Sequence, residues 1–141
     1  MPYGLPEALH EVSTAKEGYV AVTGTLTFDK SALPTTDWEA QQDTPAHTAI
    51  KAHIKGKALG KSGFQNRFDK PLTLEVLCFG PWCASAIPDK PVLVFLKQTA
   101  QGYQLSITPC GGHAFYEPSK TDLNTVKQCY LTRQCPKPHQ P

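Results

Sequence analysis

The stretch Tyr19-Val20-Ala21-Val22-Thr23-Gly24-Thr25-Leu26-Thr27-Phe28 alternates strictly, with Val20, Val22, Leu26 and Phe28 on one parity and Ala21, Thr23, Thr25 and Thr27 on the other. Successive side chains of a strand point to opposite faces, so this pattern is that of a half-buried strand. Gly24 falls on the inward parity, and the missing side chain there predicts a bulge or a sharp bend.

Four more strands follow from the same reading. Residues 47–59 alternate, with Ile50, Ile54 and Ala58 inward and His47, Lys51, His53, Lys55 and Lys57 outward. Residues 72–78 place Leu72, Leu74, Val76 and Cys78 inward. Residues 92–96 are continuously apolar, as expected of a strand covered on both faces. Tyr103, Leu105 and Ile107 alternate in a fifth strand, which residues 98–102 join to the fourth as a hairpin loop. Residues 29–46 and 60–71 read as polar connections, the first long enough for a binding loop or a disordered one. Near the end the period changes: Leu123, Val126 and Tyr130 recur at helical spacing behind Ser119-x-x-Asp122 or Thr121 as a cap, and Pro136 and Pro138 end the helix. The segment from Pro6 to Val12 reads as either a short helical turn or a loose arm.

Thirteen prolines and ten glycines in 141 residues favour turns and exclude a helical bundle. No apolar run approaches the roughly 20 residues of a membrane-spanning helix. The inventory predicts an all-β fold: a five-stranded OB-fold-like Greek-key barrel with a C-terminal helix, with a small β-sandwich as the alternative. The division is an N-terminal arm (1–18), a single barrel domain with its helix (19–134) and a polar, disordered tail (135–141).

Five cysteines, Cys78, Cys83, Cys110, Cys129 and Cys135, all lie in the second half. Their spacing does not match a zinc knuckle, so an oxidising compartment is the better reading, and the chain is expected to be secreted or periplasmic. Met1-Pro2-Tyr3-Gly4-Leu5-Pro6 has neither a basic nor an apolar leader segment, so an exported protein would be present here in mature form. Cys78 and Cys83 flank a tight Gly-Pro turn and are expected to bridge it. Cys110 is expected to reach Cys129 and staple the helix to the barrel, leaving Cys135 odd. In the alternative pairing Cys135 takes the place of Cys129.

The fragments Val76-Leu77-Cys78-Phe79-Gly80-Pro81-Trp82-Cys83, Lys90-Pro91-Val92-Leu93-Val94-Phe95-Leu96 and Gly102-Tyr103-Gln104-Leu105-Ser106-Ile107-Thr108-Pro109-Cys110 together resemble the core of the netrin-like module. That OB-fold family includes the tissue inhibitors of metalloproteinases. The resemblance covers residues 72–130 and the first two strands in outline. It implies an OB barrel acting as a secreted binding or inhibitor-like module. The inhibitors of that family chelate the protease zinc through an N-terminal cysteine. Here no cysteine precedes Cys78, so zinc-directed inhibition is not implied.

Charge is unevenly placed. Residues 1–45 carry seven acids against Lys16 and Lys30, whereas residues 46–141 carry twelve Lys and Arg against five acids, so any polyanion would meet the second half. The outward row Lys51, His53, Lys55 and Lys57, headed by His47, is either a solvated strand face or a polyanion-binding one. Trp38, central in the acidic loop 29–46, and Trp82, in the cysteine turn, are candidate contacts for a protein partner or else covers for a barrel end. The acidic loop could instead pack on the lysine row and neutralise it.

Other chemistries are less well supported. Phe64, Arg67 and Phe68 could form a nucleic-acid platform, but phenylalanines in such a loop more often plug a barrel. His47 with His53, and Cys110 with His113, fall short of three ligands, so no metal or other cofactor is expected. No nucleophile–base signature is present, and no catalysis is expected. The resulting expectation is a non-catalytic binding module. The alternatives are a cytosolic OB-fold binder of single-stranded nucleic acid, or a periplasmic protein with metal or redox activity, with Cys78 and Cys83 as the redox pair.

Overall fold

The computed structural model of the chain describes residues 4–138. The Met1-Pro2-Tyr3 start and the last three residues of the tail lie outside the described residues. The fold is mostly β with two helices. In chain order it runs α1 (Leu5–Thr14), β1 (Tyr19–Phe28), β2 (His47–Gly60), β3 (Gly63–Phe79), β4 (Trp82–Cys83), β5 (Pro91–Thr99), β6 (Gly102–Thr108), β7 (Gly111–Gly112), β8 (Ala114–Tyr116) and α2 (Lys120–Thr132). Two 3₁₀ turns, Lys30–Ala32 and Gln41–Asp43, occupy the connection between β1 and β2.

β1 pairs antiparallel with β2 on one side and β5 on the other. β2 pairs with β3, and β5 with β6, both antiparallel. β3 and β6 then pair in parallel, from Leu72↔Tyr103 to Val76↔Ile107, so the succession of ladders returns to the strand on which it began.

The inward parity of each strand supplies the first core. Val22 and Leu26 meet Ile54, Leu74, Val94 and Leu105, each fully buried. A second, smaller core lies on the other side of the sheet, where Ala8 and Leu9 of α1 and Val126 and Cys129 of α2 cover Leu93 and Phe95. This explains the continuous apolar run of β5: Val92, Val94 and Leu96 belong to the first core, while Leu93 and Phe95 belong to the second. Burying each such side chain contributes about 2 kcal/mol.

Both helix starts are capped from the sequence. Gly4 N–H donates to Glu7 Oε1 at 2.7 Å, with Pro6 in the first turn of α1. Ser119 Oγ accepts from Asp122 N–H at 3.0 Å, and Asp122 Oδ2 accepts from Ser119 N–H at 3.1 Å. That reciprocal box satisfies two amides that would otherwise lack partners.

Three expectations change. Residues 60–71 are not a connection; from Gly63 onward they are the first part of the long β3. Of the two readings of Gly24, a bulge or a sharp bend, the bulge is excluded, because the β1–β2 ladder runs without a break from Val22↔Ala58 to Phe28↔Ala52. The Cys110–Cys129 bridge is also corrected: Cys129 is bonded to Cys135, and Cys110 is an exposed free thiol. The reason is local. Arg133 takes a left-handed conformation at the end of α2, turning the chain back so that Cys135 reaches the last turn of its own helix. Cys78–Cys83 forms as expected.

Candidate binding surfaces

The connection from β1 to β2 is built turn by turn. Asp29 Oδ1 accepts from Ser31 Oγ–H at 2.7 Å and from Ser31 N–H at 3.0 Å, which opens the first 3₁₀ turn. Those two bonds, the side-chain bond foremost, hold the Asp29 carboxyl below its ordinary pKa. Leu33 then packs against the first core. Asp37 Oδ1 accepts from Glu39 N–H at 3.0 Å, and Gln41 Nε2 donates to the Trp38 carbonyl at 3.2 Å. Thr36 Oγ1 donates to the carbonyl of Pro81, tying the loop to the cysteine turn.

That turn is itself fixed. The Cys78–Cys83 bond closes it, β4 pairs back on β3 as Cys78↔Cys83 and Phe79↔Trp82, and Gly80 supplies the positive φ of 61°. Ala84 N–H donates to the Leu77 carbonyl and Cys78 N–H to the Ala46 carbonyl, both at 2.9 Å.

On this braced end the large apolar side chains face solvent. Trp38 is 61% exposed and Trp82 64% exposed, so neither folds back as a plug. Phe79 and Ile87, on either side of Trp82 in sequence, are exposed as well. Phe79 faces Trp82 across the β3–β4 ladder, and Ile87 N–H donates to Tyr116 Oη at 2.8 Å. Sequence reasoning passed over both, because Phe79 sat inside a turn and Ile87 in a segment without periodicity.

The outward row of β2 is exposed throughout: His47, Lys51, His53, Lys55 and Lys57. Register sets their neighbours. On the β1 side, Thr23, Thr25 and Thr27 face Lys57, Lys55 and His53. On the β3 side, Lys51 faces Thr73, Lys55 faces Asp69 and Lys57 faces Arg67. His47 Nδ1 lies 3.3 Å from Glu75 Oε2, and His53 Nε2 pairs with Asp69. The His53 hydrogen bond above all holds the Asp69 carboxyl below its ordinary pKa; desolvation opposes it, and the charges of His53, Lys55 and Arg67 add lesser lowering contributions.

Among the described residues Lys51, Lys55, Lys57 and Arg67 form no salt bridge, and the acidic loop residues Asp37, Glu39 and Asp43 contribute none to the row. The structure thus leaves the loop and the row as separate surfaces. It does not gather His113 with Cys110 as ligands: His113 is buried and bonded to Glu11, whereas Cys110 is exposed. No group of three His, Cys, Asp or Glu side chains gathers among the described residues. No helix among them is long and apolar enough to cross a membrane.

Comparison of the chain with protein-family models, curated proteins and solved structures yields no match.

Proposed function

We propose that the chain is a non-catalytic binding module of OB type, netrin-like in its second half, that works in an oxidising compartment and engages a protein partner through the end bearing Trp38 and Trp82. The closed succession of ladders, with β3 and β6 parallel, supports the barrel reading. The two disulfides, Cys78–Cys83 and Cys129–Cys135, support the compartment. One observation carries the function: two tryptophans more than half exposed on a loop and a turn braced against each other. Rigid, exposed tryptophans offer large contact area at small entropic cost, which is why they recur at interface hot spots.

The test compares the wild-type chain with Trp38→Ala and Trp82→Ala, each first matched to it in thermal midpoint. Immobilised wild-type protein is expected to capture a partner from extracellular fluid that both variants lose. Capture unchanged by both substitutions overturns the reading.

A second reading has its own observation. Lys57 and Arg67 face each other directly across β2 and β3 with no salt-bridging carboxylate. Like charges opposed in this way are destabilising, and a bound polyanion would relieve them. The outer face of strands two and three is also where OB barrels take oligomeric ligands. Heparin-column retention above physiological salt, lost in the triple variant Lys51, Lys55 and Lys57→Ala, would support a polyanion face. Elution at or below physiological salt leaves the row structural.

A further inference from the structure

The two helices do not seal the second core. Between α1, α2 and the outer side of the sheet lies a cavity of about 340 Å³. Leu9, Ala21, Leu59, Phe95 and Val126 line its apolar depth, and Ser13, Glu17, Gln98, Tyr130 and Arg133 line it with polar groups. This volume is at the lower end of the roughly 300–1,000 Å³ of ligand sites, and an apolar depth with a few polar groups is their usual make-up.

The charges in the lining select the ligand. Glu17 Oε1 is 3.8 Å from Lys97 Nζ and is therefore already matched. Arg133 has no salt-bridge partner among the described residues. Its backbone stands at φ 61°, with its N–H donating to the Cys129 carbonyl at 3.1 Å, inside the loop closed by Cys129–Cys135. Glycine is the residue such a helix end ordinarily takes. Here an exposed arginine occupies it and lines the cavity, so its charge is open to an anion, and a cationic or neutral amphiphile would leave that charge opposed or unused.

We infer that the cleft between α1 and α2 binds a small amphiphilic carboxylate, with its hydrocarbon part against Phe95 and Val126 and its head group on Arg133. This site lies on a different face from the tryptophan-bearing end and does not depend on it.

The test uses the full chain and decanoate below its aggregation concentration, followed by NMR and calorimetry. Saturable binding is expected, with shifts at Ala21, Leu59 and Val126. Decanol is expected to bind about tenfold more weakly than decanoate, because a charge-assisted contact is lost. Arg133→Gly suits the left-handed backbone and so keeps the fold, and it is expected to weaken decanoate about tenfold while leaving decanol unchanged. Arg133→Lys retains most of the affinity. Ser13→Trp, an exposed substitution in the lining, is expected to weaken decanoate and decanol alike. Absence of saturable binding overturns the inference, as does equal decanoate affinity in the wild-type and Arg133→Gly proteins.

Discussion

Gly24 and Gly56 face each other across β1 and β2 at a point where neither strand has room for a side chain. A Cβ on Gly24 would lie 2.2 Å from the Lys55 carbonyl oxygen, and one on Gly56 would lie 1.9 Å from that of Thr23. The obstructing atoms are backbone, so no rotamer change relieves the clash. Gly24→Ala and Gly56→Ala are each expected to cost about 3 kcal/mol or more, measured by denaturant unfolding, because the ladder itself must shift. A loss below about 1 kcal/mol for both would mean that the strands do not cross this closely.

The disulfide pattern sets one cysteine apart from the other four. Alkylation of the folded, unreduced protein is expected to label Cys110 alone among the five cysteines. Peptide mapping is expected to recover Cys78 with Cys83 and Cys129 with Cys135. Cys110→Ser is expected to change stability by less than about 0.5 kcal/mol, since the thiol is exposed and unbonded. Replacing both Cys129 and Cys135 by Ser is expected to cost about 2 kcal/mol, the chain-entropy value for so short a loop. A peptide joining Cys110 to Cys129 would contradict the fold of the C-terminal turn.

The partial burial of Tyr19 and Tyr116 also sets an alkaline limit. Burial raises the Tyr19 hydroxyl above its ordinary pKa of 10.0, with Glu17 and Glu11 adding to the effect. Burial also raises Tyr116, against the N–H that Ile87 donates to its oxygen. Both phenols are thus harder to ionise in the folded chain than in the unfolded one. The stability they contribute is complete below the unfolded pKa and is lost as pH rises through the folded one. Phenolate absorbance is expected to show two late-titrating components, removed one at a time by Tyr19→Phe and Tyr116→Phe. Unfolding free energy is expected to fall above pH 10 by less in those variants than in the wild type. Tyrosine titration indistinguishable between folded and urea-unfolded protein would remove the argument.

The span of β1 and its inward residues Val22 and Leu26 were legible, because Thr23, Thr25 and Thr27 alternate with them on the other face, which is the case period-two patterning describes; the packing of Ala21 on the second core was not. The cap at Ser119 and the doubly covered β5 were legible for similarly direct reasons. The first part of β3 was not. Gln65, Asn66, Arg67, Asp69 and Lys70 are all exposed, so this part of the hairpin carries no run of alternation and reads as a loop. The pairing of Cys129 with Cys135 was hidden because it depends on a left-handed backbone at Arg133, a residue with no special preference for it. The outward row of β2 was visible in sequence, whereas its freedom from the acidic loop depends on where residues 29–46 dock.

The attachment of α1 offers the last prediction. His113 Nε2 lies 2.9 Å from Glu11 Oε2, and the imidazole stands edge-on to Tyr19 with ring centroids 5.5 Å apart. Its own backbone is locked between Ser106 and Phe95, each through a 3.0 Å bond. The side chain therefore works as a post on which Glu11 and Tyr19 rest, and most of its worth is packing, because Glu11 is half exposed. Glu11→Gln keeps an acceptor for the ring and is expected to cost no more than about 0.5 kcal/mol. His113→Ala removes both contacts and opens a gap under α1, at an expected cost of about 2 kcal/mol. Hydrogen exchange distinguishes the packing argument from a charge argument. Amides of residues 8–14 are expected to lose protection in His113→Ala and to keep it in Glu11→Gln, while β1 and β5 stay protected in both. Equal loss in the two variants would make the ion pair, rather than the buried ring, the attachment of α1.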